Sequence, residues 1–309
     1  GLQPDFIWFK NRTNANRHAL FDSVRGATKR IASDKNEAEA ADPDTLISFD
    51  SDGWSIGADT GQYGVNYTAG SSFVSWNWKA GGTASSNGDG SITSSVSANP
   101  TAGFSIVSYT SPGTSSDGTV GHGLSQAPEL VIVKNRDSAY NWDVWNTALS
   151  SGYDLILNTS AAQTSGRWST TIPTASLVTL KDTYEVNGTD KYIAYCFHSV
   201  EGYSKVGSYE GNANADGTFV YTGFQVAYLL TKSIDGSYNW YQTDNKSTPI
   251  NVRDNVLYPD LSVAHGSSWP WVDFLSNGFK LRTSSSGVNN NTFIYLAFAE
   301  SPFKYSNAR

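Results

Sequence analysis

Apolar residues in this 309-residue chain come in short runs, never in long stretches. The runs are "FIWF" (6–9), "FVSWNW" (73–78), "FSIVSY" (104–109), "LVIV" (130–133), "DLIL" (154–157), "YIAYCF" (192–197), "FVY" (219–221), "AYLL" (227–230) and "FIYLAF" (293–298). They are β-branched or aromatic, and Gly, Asn, Asp and Ser punctuate them. That pattern predicts antiparallel strands joined by turns. "RHALFDSVRGATKRIAS" (17–33) has the basic look of a short helix. Aligned by its Gly26 with Gly152 of "NWDVWNTALSSGYDLILN" (141–158), it reads as a hairpin instead. "NEAEAADPD" (36–44) is the one stretch expected to form a helical turn.

The runs recur in order. "DSAYNW" (137–142) returns as "DGSYNW" (235–240), and Lys134 and Lys232 share the same offset of 98. "PDFIWFKNR" (4–12) matches "PELVIVKNR" (128–136), which places Lys10 in a third copy. The closing segments "SFVSWNWKAGG" (72–82), "KYIAYCFHSVEGYSK" (191–205) and "TFIYLAFAESPFK" (292–304) follow. Their first aromatic residue comes 63, 58 and 61 positions after the Lys. A fixed internal period must be settled before a fold is argued. Here it predicts three repeats: residues 1–82, 103–205 and 206–309, with a Gly/Ser-rich linker at 83–102. About seven or eight short strands in roughly 100 residues fit a small β-sandwich. The fold expected is all-β: three tandem β-sandwich repeats of jelly-roll or lectin-like type, with antiparallel sheets. The chain opens "GLQPDFI", where the second repeat has already run about 20 residues, and it contains no Met. It therefore reads as part of a longer polypeptide. The first repeat would borrow its missing strand from upstream residues or from another subunit.

Composition narrows the function classes. Hydrophobic residues make up 39% and charged residues only 16%, with 10 Trp and 17 Tyr, so cores can form. The net charge of −7 disfavours generic attraction to nucleic acid or anionic membrane. No apolar run approaches the roughly 18 residues of a membrane helix. The single Cys196 leaves no internal disulfide framework and no Cys-based zinc site. His18, His122, His198 and His265 show no metal spacing, "DSDG" (50–53) lacks the closing acid of a calcium loop, and no nucleophile elbow or P-loop occurs. No catalytic residue, metal site or cofactor is assigned. What remains is the repeated aromatic set. Asp137, Tyr140, Asn141 and Trp142, with Asp235, Tyr238, Asn239 and Trp240, combine rings that stack on sugars with groups that bond hydroxyls. They form the candidate carbohydrate-binding residues. The same Trp residues open strands, so core packing is the competing and stronger reading for them.

The strings "PDFIWFKNR", "LFDSVRGATK", "VGHGLSQAPELVIVKNR" and "EGYSKVGSY" resemble a repeat in uncharacterised structural proteins of tailed phages, especially those of marine bacteria. The resemblance implies a non-enzymatic virion component, a tail fibre or other surface protein. Its expected partners are other virion proteins, further copies of itself and a host surface glycan. Nucleic acid and membrane insertion are not expected. The alternatives are a secreted carbohydrate-binding array and a glycan depolymerase.

Overall fold

The computed structural model of the chain describes residues 1–300, apart from 60, 62, 68, 114 and 267. The last part of the third repeat, 301–309, lies outside the described residues, and with it the end of the third closing segment. The fold is all-β with several antiparallel sheets. Among the described residues the helical content is the single turn Ser286–Asn289. The turn expected at 36–44 is not helical: Ala40–Ala41 pairs as a strand with Lys29–Arg30.

In every repeat the Lys strand pairs with the closing strand in the same register. Phe6–Asn11 sets Phe6 opposite Trp78, Trp8 opposite Trp76 and Lys10 opposite Val74. Leu130–Asn135 sets Leu130, Ile132 and Lys134 opposite Phe197, Tyr195 and Ile193. Val226–Ser233 sets Tyr228, Leu230 and Lys232 opposite Phe298, Leu296 and Ile294. On the other edge of each Lys strand lies the next strand in sequence: Ala19–Asp22, Trp142–Asn146 or Tyr241–Asp244. The hairpin expected at 17–33 is present, with Leu20 and Ile31 exchanging both backbone bonds. Its Gly26 has φ +101, and the corresponding Gly152 has φ +75; both values favour glycine.

The Lys strands are buried on both faces almost throughout, which is why each opens on an unbroken apolar run. Successive side chains point to opposite faces. Phe6 and Trp8, Leu130 and Ile132, Tyr228 and Leu230 all enter one central cluster, joined by Trp78, Phe197 and Phe298 from the closing strands. The alternate residues enter three separate clusters: Ile7 and Phe9 in the first repeat, Val131 and Val133 in the second, Leu229 in the third. The central core therefore belongs to all three repeats, and a void of only about 10 Å³ remains in it.

The stretch expected as a linker is not one. Ser85–Asn87 and Ser94–Asn99 pair in turn beside Phe104–Thr110, extending that sheet to eight strands. Phe104–Thr110 covers the outer edge of the closing strand Lys191–Phe197, and Ser204–Glu210 covers that of Thr292–Ala299. Among the described residues, the same edge of Phe73–Trp78 carries no strand.

Candidate functional site

The repeated sequence constellation lies where the repeats meet. Each Lys is fully buried, with its stem in the sheet and its ammonium turned back to carbonyls of the following loop. Lys10 Nζ donates to Asn11 O (2.9 Å) and Asn16 O (2.7 Å). Lys134 Nζ donates to Asn135 O (2.7 Å) and Tyr140 O (2.9 Å), and Lys232 Nζ to Ser233 O (2.7 Å) and Gly236 O (3.2 Å). A third bond crosses to a neighbouring repeat: Lys10 to Ser262 O and Lys134 to Asn36 O, both at 3.2 Å. Burial lowers all three ammonium groups to about 8, against the pull of Asp34, Asp143 and Asp260 respectively.

Eight positions after each Lys stands a ring that also crosses. Trp142 Nε1 donates to Ala32 O (2.9 Å) and Lys35 O (3.1 Å) of the first repeat. Trp240 Nε1 donates to Ile156 O (2.9 Å) of the second. In the first repeat the position is His18, whose Nε2 lies 3.0 Å from Tyr258 O of the third. His18 Nδ1 accepts from Trp8 Nε1 at 2.8 Å, so Nε2 carries the proton given to Tyr258. Burial holds His18 neutral, down to about 3. A backbone bond accompanies each ring: Glu39 N to Arg136 O (2.8 Å), Gln163 N to Ile234 O (2.9 Å) and His265 N to Arg12 O (2.8 Å). The second repeat thus docks on the first, the third on the second and the first on the third. At the first of these junctions Arg136 and Arg25 both grip Glu39, while Arg25 and the Tyr195 hydroxyl share Asp22.

The eight candidate carbohydrate-binding residues divide accordingly. Trp142 and Trp240 are fully enclosed, so neither ring presents a face to solvent. Asp137 and Asp235 are exposed and brace the closing strands, accepting from Lys191 N (2.9 Å) and Thr292 N (3.0 Å). Asn141 accepts from Asn158 Nδ2 at 2.9 Å, and Asn239 is half-buried. Tyr238 packs against the third repeat's own core. Tyr140 stacks on Tyr184, with centroids 6.0 Å apart and rings within 8° of parallel. Tyr184 is 63% exposed. It borders a hollow of about 270 Å³ that Asp182, Thr183 and Thr189 also line. An aromatic shelf beside carboxylate and hydroxyl groups has the chemistry to hold a sugar ring. Tyr184 escaped the sequence reading because it has no counterpart in the repeat; the Tyr, Asn and Asp gathered in "TYEVNGTD" (183–190) are the signal it does leave.

A second grouping was equally hidden. Asp143 and Asp154 are both buried, and Arg167 bridges them at 2.8 and 2.6 Å. Burial first, then the charge of Asp154, pushes the Asp143 carboxyl well above the usual range, against the opposing pull of Arg167. The arginine caps the pair. Among the described residues no group of three or more His, Cys, Asp or Glu could hold a metal ion, and no helix is long and apolar enough to cross a membrane.

A family model described as "Domain of unknown function (DUF7483)" matches residues 1–302. The chain belongs to that family, whose model spans all three repeats as one domain. No curated protein and no solved structure matches the chain.

Proposed function

We propose that this chain is a non-enzymatic structural protein of a phage virion, a tail fibre or other surface component, that presents a glycan-binding surface for host attachment. The virion assignment rests on the sequence resemblance to repeats of tailed-phage structural proteins. In this reading each repeat is a small β-sandwich. Its inner sheet packs on the shared core, and its outer strands cover the repeat's own core. Three such units fused in one cycle make a rigid presenting body. Its partners are neighbouring virion proteins and a surface glycan of the host.

The observation that carries the binding part is the exposed Tyr184 ring, which lies parallel to half-buried Tyr140 and borders a polar hollow. Stacking on one exposed aromatic ring contributes on the order of 1 kcal/mol, so a single site is weak, and several copies in a particle would act by raising effective concentration. The test is a glycan array with the wild-type chain and with Tyr184→Ala, alongside mass spectrometry of purified virions. The expected results are a glycan signal that Tyr184→Ala reduces about fivefold with the melting temperature unchanged, and stoichiometric presence in virions. A Tyr184→Ala chain that binds like wild type removes the site, and absence from virions removes the assignment.

A further inference from the structure

The second repeat passes to the third through a tight turn that lies beside an exposed aromatic strand. Val200 N donates to Ser204 O (3.0 Å), and Tyr203 N and Ser204 N both return to Val200 O (3.0 and 2.9 Å). Glu201 is exposed on this turn, and Lys205 follows in the strand Ser204–Glu210. The neighbouring strand is Phe219–Tyr221, at the edge of the third repeat's outer sheet. Its middle residue, Val220, enters the repeat's own core. Phe219 and Tyr221 therefore face outward, 45% and 65% exposed. Between turn and strand lies a hollow of about 350 Å³, lined by Glu201, Lys205 and Tyr221 with the hydroxyl residues Ser199, Ser204 and Thr222. The strand side is held as firmly as the turn. Thr222 N and Gly223 N both donate to Asn277 O (3.0 and 3.2 Å), and Thr222 Oγ1 donates to Phe224 O (2.9 Å).

Two charged groups in this hollow are uncommitted. Among the described residues, neither the Lys205 ammonium nor the Glu201 carboxylate makes a side-chain hydrogen bond or an ion pair. A ring, an ammonium and a carboxylate on two fixed walls match a ligand with an apolar face, a carboxylate and hydroxyl groups. We propose that this hollow binds carboxylated sugars, the uronate units of an acidic polysaccharide. The sugar ring lies on Tyr221, its carboxylate takes a charge-assisted bond from Lys205, and its hydroxyls donate to Glu201. Phe219, two residues from Tyr221, lies about 7 Å along the strand and extends the shelf toward the next sugar unit. The hollow beside Tyr184 differs in kind: among the described residues it is lined by Asp182 and threonines but by no lysine or arginine, so it offers a carboxylate no partner. The net charge of −7 repels an acidic ligand at a distance, which leaves the Lys205 contact as the deciding one. The site takes its class of ligand from the glycan-binding reading and shares no residue with the Tyr184 hollow.

NMR titration of the full chain, followed at the backbone amides of Tyr221 and Thr222, tests this. The probes are uronate trisaccharides (galacturonate and mannuronate), their carboxyl-reduced neutral counterparts, and acetate. The expected result is saturable shifts with a uronate trisaccharide, binding about tenfold weaker for its neutral counterpart, and no shift with acetate. Lys205→Gln is expected to weaken uronate binding about tenfold and Tyr221→Ala about fivefold, both with the melting temperature unchanged, while Tyr184→Ala leaves it as in wild type. Four results each overturn the proposal: no shift with either uronate, a neutral counterpart that binds equally well, acetate that gives the same shifts, or uronate binding that survives both Lys205→Gln and Tyr221→Ala. A sugar whose binding is lost with Tyr184→Ala alone leaves the first hollow standing and removes this one; uronate binding that depends on Lys205 while Tyr184 binds nothing does the reverse.

Discussion

Asp34, Asn158 and Asp260 occupy one position in the three repeats, each accepting the backbone N–H of the crossing ring residue. The bonds run from His18 N (3.1 Å), Trp142 N (2.9 Å) and Trp240 N (3.1 Å). The second repeat does this with a neutral amide, and the others with buried carboxyls. Burial, with some repulsion from Asp34, raises Asp260 to about 7. Its folded value exceeds its unfolded value, so its contribution is full below about pH 4 and is lost as pH rises through 7. His18 has the opposite sign: lowered to about 3, its contribution is present above about pH 6.5 and is lost on acidification. The two trends offset each other in the wild-type profile. Asp260→Asn separates them by copying the second repeat's own solution. The variant is expected to match wild-type stability near pH 4 and to exceed it by on the order of 2 kcal/mol at pH 8. Urea melts of both chains across that range give the difference directly. A constant difference over the range would mean that Asp260 does not titrate between the two pH values.

At the scale of elements, a crossing ring pins a particular strand of its neighbour. Trp142→Phe keeps most of the buried ring but removes the donor to Ala32 O and Lys35 O. Ala32 O then keeps only the long bond from Lys35 N (3.4 Å) and Lys35 O loses its indole donor, at a cost of about 1–3 kcal/mol. Hydrogen exchange is expected to rise over 29–41 more than within Trp142–Asn146 itself. Equal changes in both segments would instead indicate a general loss of packing. The sequence made the Lys strands and their partners legible because the apolar runs keep the same order, with similar spacing from Lys to closing strand, in all three copies. It hid the crossing role of the rings, because the first repeat spells that position His18. The substitution is physical. Trp8 stands where the other repeats have Ile132 and Leu230, and the larger inner residue leaves room only for a smaller ring that accepts its indole N–H. Counting eight positions from Lys10 was the available signal. Ser85–Asn87 and Ser94–Asn99 were illegible for another reason. Of the second strand's apolar side chains only Val96 is deeply buried, so Ser-rich pairing residues looked like a linker.

For the whole molecule, the decisive quantity is how the apolar surface is divided. Each repeat has a core of its own, yet Phe6, Trp8, Ile132, Leu230, Trp142 and Trp240 all enter one cluster shared by the three. A separated repeat would expose that inner face. At roughly 25 cal/mol per Å² of apolar surface, a face carrying several aromatic side chains is a loss larger than the usual stability of about 5–15 kcal/mol. The three repeats are therefore expected to fold and melt as one unit, in keeping with a family model that spans them together. Calorimetry of the full chain should show one transition whose van't Hoff and calorimetric enthalpies agree. Trp240→Ala, at the junction of the third repeat with the second, should move that whole transition down by about 3–5 kcal/mol of stability, without splitting it. The segment 103–205 expressed alone should show no cooperative melt and should bind a hydrophobic dye. A native-like, cooperative 103–205, or a full chain with two or three transitions, would reduce the shared core to a contact between independent domains.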